Sequence, residues 1–286
     1  MKRISIQHAT EYSFSEPVEF REHRLLLRPR EGHDIRIVAS KLEVNLAHEL
    51  KWYRDVYGNS VGVLRLTERG THLRIASEVE LEHYQTRPLD FIVDERVLTF
   101  PFVFEPEDRL DLLPYRTHIW PNNIDSLKQW VAQFWRPGQS IETYVLLTQM
   151  SQKIVSEFQY RMREDPGVQA PIDTLTEGSG SCRDFAALFI EACRYLGLAA
   201  RFVSGYLHNP GSTQHGSTHA WSEVYLPGAG WIGFDNTSGQ VAGAAHIATA
   251  VHRHPEAVPP VSGSFVSHQP VQTDMSVQVS VREIAG

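Results

Sequence analysis

The stretch "EGSGSCRDFAALFIEACRYLGLAARFVSGYL", Glu177–Leu207, holds both cysteines of the chain, Cys182 and Cys193. It opens with the Gly/Ser composition of a loop. Phe185, Leu188, Phe189, Ala192, Cys193 and Leu196 then recur at the three- and four-residue intervals of an amphipathic helix. Ser181 suits the N-cap, and Asp184 stands where a capping-box acid reaches back, so Cys182 opens the first turn. Gly197 ends the helix. The alternating run "ARFVSGYLH" that follows reads as a strand.

The two thiols cannot pair. Eleven residues of helix separate them by about 16 Å, against a Cα separation of roughly 7 Å that a disulfide tolerates. Cys193 lies on the apolar stripe and reads as a small hydrophobe. Cys182 faces the positive end of the helix dipole, which favours the thiolate and hence the nucleophile. Gly178 and Gly180 are expected to let a substrate backbone approach. A helix-start cysteine by itself is equally compatible with a flexible loop entering a helix. A thiol nucleophile needs a base within reach and a third group to orient that base.

Candidates for both lie downstream in "STHAWSEVYLPGAGWIGFDNTSG", a β-hairpin with "PGAG" at or near its turn. His219 begins the first strand and Asp235 ends the second. The two share a face if they stand opposite or if the register slips by two residues to leave them diagonal. Either arrangement requires a loop of odd length or a bulge. Alone, His219 is as well explained as a sheet histidine, one of fourteen, and Asp235 as a turn residue. Together with Cys182, on helix start, strand and strand, they make the order of a thiol, its base and an orienting acid.

Outward from this region the pattern changes. From Lys2 to about Tyr84, period-two runs such as "RISIQHATEYSF" and "THLRIASEVELEHY", divided by turn signals, predict about six antiparallel strands in a sandwich or barrel-like module. Pro101, Pro106, Pro114 and Pro121 crowd a connecting segment. "NIDSLKQWVAQFW" and "SIETYVLLTQMSQKIVSEFQY" have helical spacing, with Ser140 a plausible N-cap for the second. "MSVQVSV" near the C-terminus predicts another strand. The expected organisation is α+β: a β-rich domain over 1–105, a Pro-rich connector over 106–123, and over 124–286 a core in which a Cys-bearing helix packs on an antiparallel sheet, with a C-terminal strand extension.

Composition narrows the function. The 286 residues are 42% hydrophobic, enough for a sizeable core, and the formal charge is −7 without any Lys/Arg-rich block. Nucleic acid is not an expected partner. The N-terminus lacks the apolar stretch of a signal peptide, and no run of about 18 apolar residues occurs, so neither a membrane partner nor export is expected and the location is read as cytoplasmic. His246, His252 and His254 offer imidazoles for a metal site, but no acidic or thiol ligand lies near them in sequence, and no metal or other cofactor is expected. No acidic loop with calcium-ligand spacing is visible.

The segments "GSGSCRDFAALFIEACRYLGLAARFVSGYL" and "THAWSEVYLPGAGWIGFDNTSG" strongly resemble the bacterial transglutaminase-like superfamily, papain-related thiol enzymes. The match includes the Cys-x-Asp-Phe step, the Ala-Arg-x-Val-Ser-Gly-Tyr strand, the His-Ala-Trp triplet and the Gly-Trp-x-Gly-Phe-Asp run. "HATEYSFSEPVEFREHRLLLRPR" resembles the β-rich N-terminal region that accompanies this core. The resemblance implies Cys182 as nucleophile, His219 as base and Asp235 as orienting acid. Two departures stand out: Arg183 where relatives often carry Gln, and "AVHRHPEAVPPVSG" where relatives often carry Gly-Arg-Asp. The implied activity is acyl transfer through a Cys182 thioester, most simply hydrolysis of an amide bond in a peptide or protein substrate, with transamidation if an amine replaces water. The competing reading is a non-catalytic binding or scaffolding protein that retains the fold. The Cys182 N–H is the natural first oxyanion donor, because helix-start amides lack internal partners. Tyr160, Trp120 and Trp221 are candidates for the second.

Overall fold

The computed structural model describes residues 1–85, 87–163, 165–209 and 216–284. The period-two region forms six strands: Lys2–Phe20, His23–Leu25, Ile35–Val44, His48–Arg54, Ser60–Leu66 and Gly70–His83. They divide between two antiparallel sheets. Phe14, Phe20, Leu25, Leu27, Leu64, Leu73 and Ile75 fill the space between them, so the alternation seen in sequence is the inner face of a sandwich. The C-terminal strand, Thr273–Ile284, pairs with residues 3–14 of the first strand, so the end of the chain returns to the N-terminal sheet.

Three short helical turns, Pro106–Asp111, Leu113–Arg116 and Pro121–Asn123, occupy the connector. Each has its proline in the first turn, where the missing N–H costs nothing. Helices Ile124–Val131 and Thr143–Glu157 follow. The second starts two residues later than an N-cap at Ser140 implies, with Glu142 at the N-cap. Helix Pro171–Glu177 falls in "RMREDPGVQAPIDTLTEGSGS", a stretch that reads as loop from its sequence, and is only two turns long. It is set by Pro171 at its start and by Gly178 in the left-handed region at its end.

The core is a five-stranded antiparallel sheet in the order 240–241, 230–235, 216–226, 200–208, 246–252. Helix Cys182–Tyr195 lies on it, with the Phe189 and Phe234 rings 5.5 Å apart. Its polar side is covered as well, for Glu191 and Arg194 are both buried and pair at 2.7 Å. Arg194 also donates to the carbonyls of Tyr115, Ala200 and Arg253, so its charge is sequestered with every guanidinium nitrogen hydrogen-bonded. Ile4, Ile6, Val79 and Leu81 of the N-terminal sheet pack with Tyr206 and Ile247 of the core sheet. Within that contact the buried His8 ring bridges the Tyr206 hydroxyl and the Thr10 hydroxyl, each at 3.0 Å. Among the described residues no helix is long and apolar enough to cross a membrane.

Candidate active site

Cys182 owes its position to Asp184. The Asp184 carboxylate is wholly buried, and its Oδ2 accepts the Ser181 N–H and hydroxyl, both at 2.8 Å. Its Oδ1 accepts Arg163 Nη1 at 2.9 Å and the Gln169 N–H at 2.8 Å. One carboxylate thus closes the expected cap and ties the preceding loop to the helix start. Cys182 is left half-buried at the first turn, whereas Cys193 is sealed in the core and burial pushes its thiol pKa up.

The hairpin has the diagonal register. Leu226 pairs with Gly230 and Ser222 with Phe234, around a three-residue loop of Pro227, Gly228 and Ala229. Continued to the strand ends, the same register sets Asp235 two positions from the residue facing His219, on the same side of the sheet. The His219 Nε2 and Asp235 Oδ1 lie 3.1 Å apart, with both side chains buried. The oxygen stands off the N–H axis, so the hydrogen bond between them is strongly bent.

Electrostatics join the third member. Burial by itself would lower the His219 pKa, but hydrogen bonding to Asp235 and to Cys182 outweighs it and raises the pKa to about 9. Burial would likewise raise Asp235; hydrogen bonds from His219, His246 and Thr237 instead hold it well below the usual carboxylate range. In both groups hydrogen bonding is the larger influence opposing burial, and the opposite charge of the partner adds to it.

A model of the transglutaminase-like superfamily core matches residues 138–236, and one of the bacterial transglutaminase-like N-terminal region matches residues 4–82. The chain belongs to the transglutaminase-like superfamily. Two mycobacterial relatives run the length of this transglutaminase-like chain. The uncharacterized protein Rv2569c of Mycobacterium tuberculosis is 29% identical, over 97% of this chain and 92% of its own. The uncharacterized protein ML0607 of Mycobacterium leprae is 25% identical over the whole of both. The fold is shared with a crystal structure from Cytophaga hutchinsonii named as a "Putative Cysteine Protease", with a TM-score of 0.75 and 20% identity over 100% of this chain and 92% of that one.

Within the transglutaminase-like core, the glycines before Cys182 have structural duties of their own. Gly178 ends a helix at φ 65°, and a Cβ on Gly180 would meet Asp184 Cβ at 2.9 Å. Ser179 and Gly180 pair in parallel with Gln159 and Tyr160, which delivers Tyr160 beside Cys182. The phenol is half-exposed, and burial together with the charge and hydrogen bonding of Cys182 pushes its pKa up to about 12. Of the other two oxyanion candidates, Trp120 packs on His254, and the buried Trp221 ring lies against both His219 and His246. Arg183, the departure after Cys182, donates to the carbonyls of Arg163 and Asp165 and so secures the loop.

Two partners of Asp235 went unnoticed in the sequence. Thr237 donates its N–H at 2.9 Å and its hydroxyl at 2.7 Å to Oδ1, a local Asx-type turn that Asp-x-Thr could have signalled. His246 Nε2 lies 3.1 Å from Oδ2, and nothing in the sequence announces that contact. His246 therefore does have an acidic neighbour, and it stands apart from His252, whose Nδ1 accepts the His254 N–H. The ligand atoms of His219, Asp235 and His246 lie within 4.8 Å of one another, near enough to enclose a cation. Their hydrogen bonding fits such an ion poorly. The His246 Nδ1 accepts the Gly243 N–H at 3.2 Å, which leaves the proton on Nε2, the nitrogen a metal would need bare.

Proposed function

We propose that this protein is a cysteine hydrolase of peptide or other amide bonds, with Cys182 as nucleophile, His219 as general base and acid, and Asp235 as the residue that orients and charges His219. The observation that carries this reading is that one buried imidazole contacts both Cys182 and the Asp235 carboxylate, the latter at 3.1 Å.

An ion pair of thiolate and imidazolium supplies both reagents of acyl transfer. The Cys182 Sγ forms a bond to the amide carbonyl carbon. His219 gives its proton to the leaving nitrogen as the C–N bond breaks, and a thioester remains. His219, now neutral, takes a proton from water, whose oxygen attacks the thioester. The C–S bond breaks, the acid is released, and the proton left on His219 restores the pair. A primary amine in place of water gives transamidation by the same steps. The Cys182 N–H, without an intrahelical partner, and the Tyr160 hydroxyl serve as oxyanion donors.

Purified protein incubated with a mixed peptide pool, with and without added amine, and compared by mass spectrometry with Cys182→Ala, tests this directly. Cleaved products that require Cys182 support hydrolysis, and amine adducts support transamidation. A pool unchanged by either protein, together with a Cys182 thiol that iodoacetamide modifies only in the alkaline range, refutes catalysis.

A further inference from the structure

We infer that His246 is a fourth member of the site, a positioning residue whose neutral imidazole aims the Asp235 carboxylate at His219. The inference rests on the reading of Cys182, His219 and Asp235 given above.

Register places the residue. Strands 200–208 and 246–252 pair as Ser204 with Ala250 but as Gly205 with Ala248, so Thr249 is an extra residue, a β-bulge. One inserted residue reverses which side chains face which side of the sheet. Gly205 faces His219 on its other neighbour, so the bulge brings Ala248, and with it His246, to the His219 side. Were Thr249 instead paired regularly with Gly205, Ile247 would fall opposite Leu207 and occupy that side.

Hydrogen bonding then fixes the protonation state. The Gly243 N–H donates to Nδ1, so the Nε2 carries a proton and donates it to Asp235 Oδ2. The His246 N–H is itself held by the Gly243 carbonyl at 2.7 Å, and its carbonyl faces His83 Nε2 of the N-terminal sheet at 3.4 Å. The ring lies edge-on to Trp221, with centroids 5.2 Å apart. Held at ring, backbone and face, His246 has a fixed direction. Its grip on Oδ2, with Thr237 on Oδ1, leaves the carboxylate one orientation toward His219. The N-terminal domain thereby gains a duty beyond covering the core, since His83 braces the strand that carries His246. The titratable groups facing His246 are Asp235, His219 and His83.

The test is the pH dependence of Cys182 alkylation by iodoacetamide, a reaction that needs the thiol and its partners but no substrate. His246→Phe keeps a ring without a donor, and His246→Gln restores a donor near the Nε2 position. Expected is an alkaline shift of the profile by about one unit in the Phe variant, hence about tenfold slower alkylation on its acidic limb, with the Gln variant close to wild type. Equal profiles in all three, or a Gln variant as impaired as Phe, overturn the inference. An inert Cys182 in the wild-type protein defeats the proposed function instead, and this inference with it. Nitrogen NMR of the histidines in the wild-type protein reads the tautomer without any substitution. A protonated Nε2 and bare Nδ1 on His246 at neutral pH support the assignment, and the opposite tautomer or an imidazolium overturns it.

Discussion

Gly205 pairs directly with His219 across the two central strands, and a Cβ on Gly205 would stand 2.8 Å from Trp221 Cη2 and 2.2 Å from the Ile247 carbonyl oxygen. The absent side chain is what lets the Trp221 ring lie against both imidazoles. Gly205→Ala must displace that ring or the neighbouring strand, an overpacking that costs about 1–3 kcal/mol. Urea denaturation should show the loss, and Cys182 alkylation at neutral pH should slow with it. A variant with wild-type stability and thiol reactivity would mean that the sheet has slack at this point.

The raised pKa of His219 ties stability to pH. A histidine whose folded pKa lies near 9, above its unfolded value near 6.5, contributes stability that is full below about pH 6.5 and lost as pH rises through about 9. The stability gap between wild type and His219→Gln should therefore be wide at pH 6, narrower at pH 8 and smallest at pH 10. Denaturation curves at those three values check the sign, and a gap that widens with pH contradicts the ion pair.

Tyr160 stays protonated far above neutrality and so keeps a proton to donate next to Cys182. If it stabilises the oxyanion, Tyr160→Phe should lower kcat by about 10²-fold with little change in KM, since the charge it meets arises only in the transition state. Steady-state kinetics on any substrate found in the peptide screen decides this. An unchanged kcat would return Tyr160 to the role of pocket wall.

Acid should loosen the contact between the N-terminal sheet and the core. Burial lowers the His8 pKa to about 4, and also lowers those of His23 and His83. The unfolded chain takes up these protons first, so stability falls as pH drops from about 6.5 and levels off below about 4. For His8 the loss at pH 4.5 is on the order of 2 kcal/mol. Guanidinium denaturation at pH 7 and 4.5 measures it, and His8→Gln should flatten the difference.

Much was legible in the chain because the signals are local. Period-two runs marked the N-terminal strands, the cap residues Ser181 and Asp184 fixed where the Cys182 helix begins, and the odd loop between Leu226 and Gly230 followed from requiring His219 and Asp235 to share a face. Helix Pro171–Glu177 was missed because two turns are too short to display a period.

What the sequence determined by itself was the set of elements and the residue types at their ends, for caps, turns and alternation depend on neighbours a few positions apart. What only the tertiary structure decided was the company Asp235 keeps. The bulge at Thr249, the clearance at Gly205 and the crossing of the chain to His246 arise from strand pairing, which is set by packing between distant segments. The same holds for the C-terminal strand, whose alternation announces a strand but not the partner in residues 3–14 that it finds.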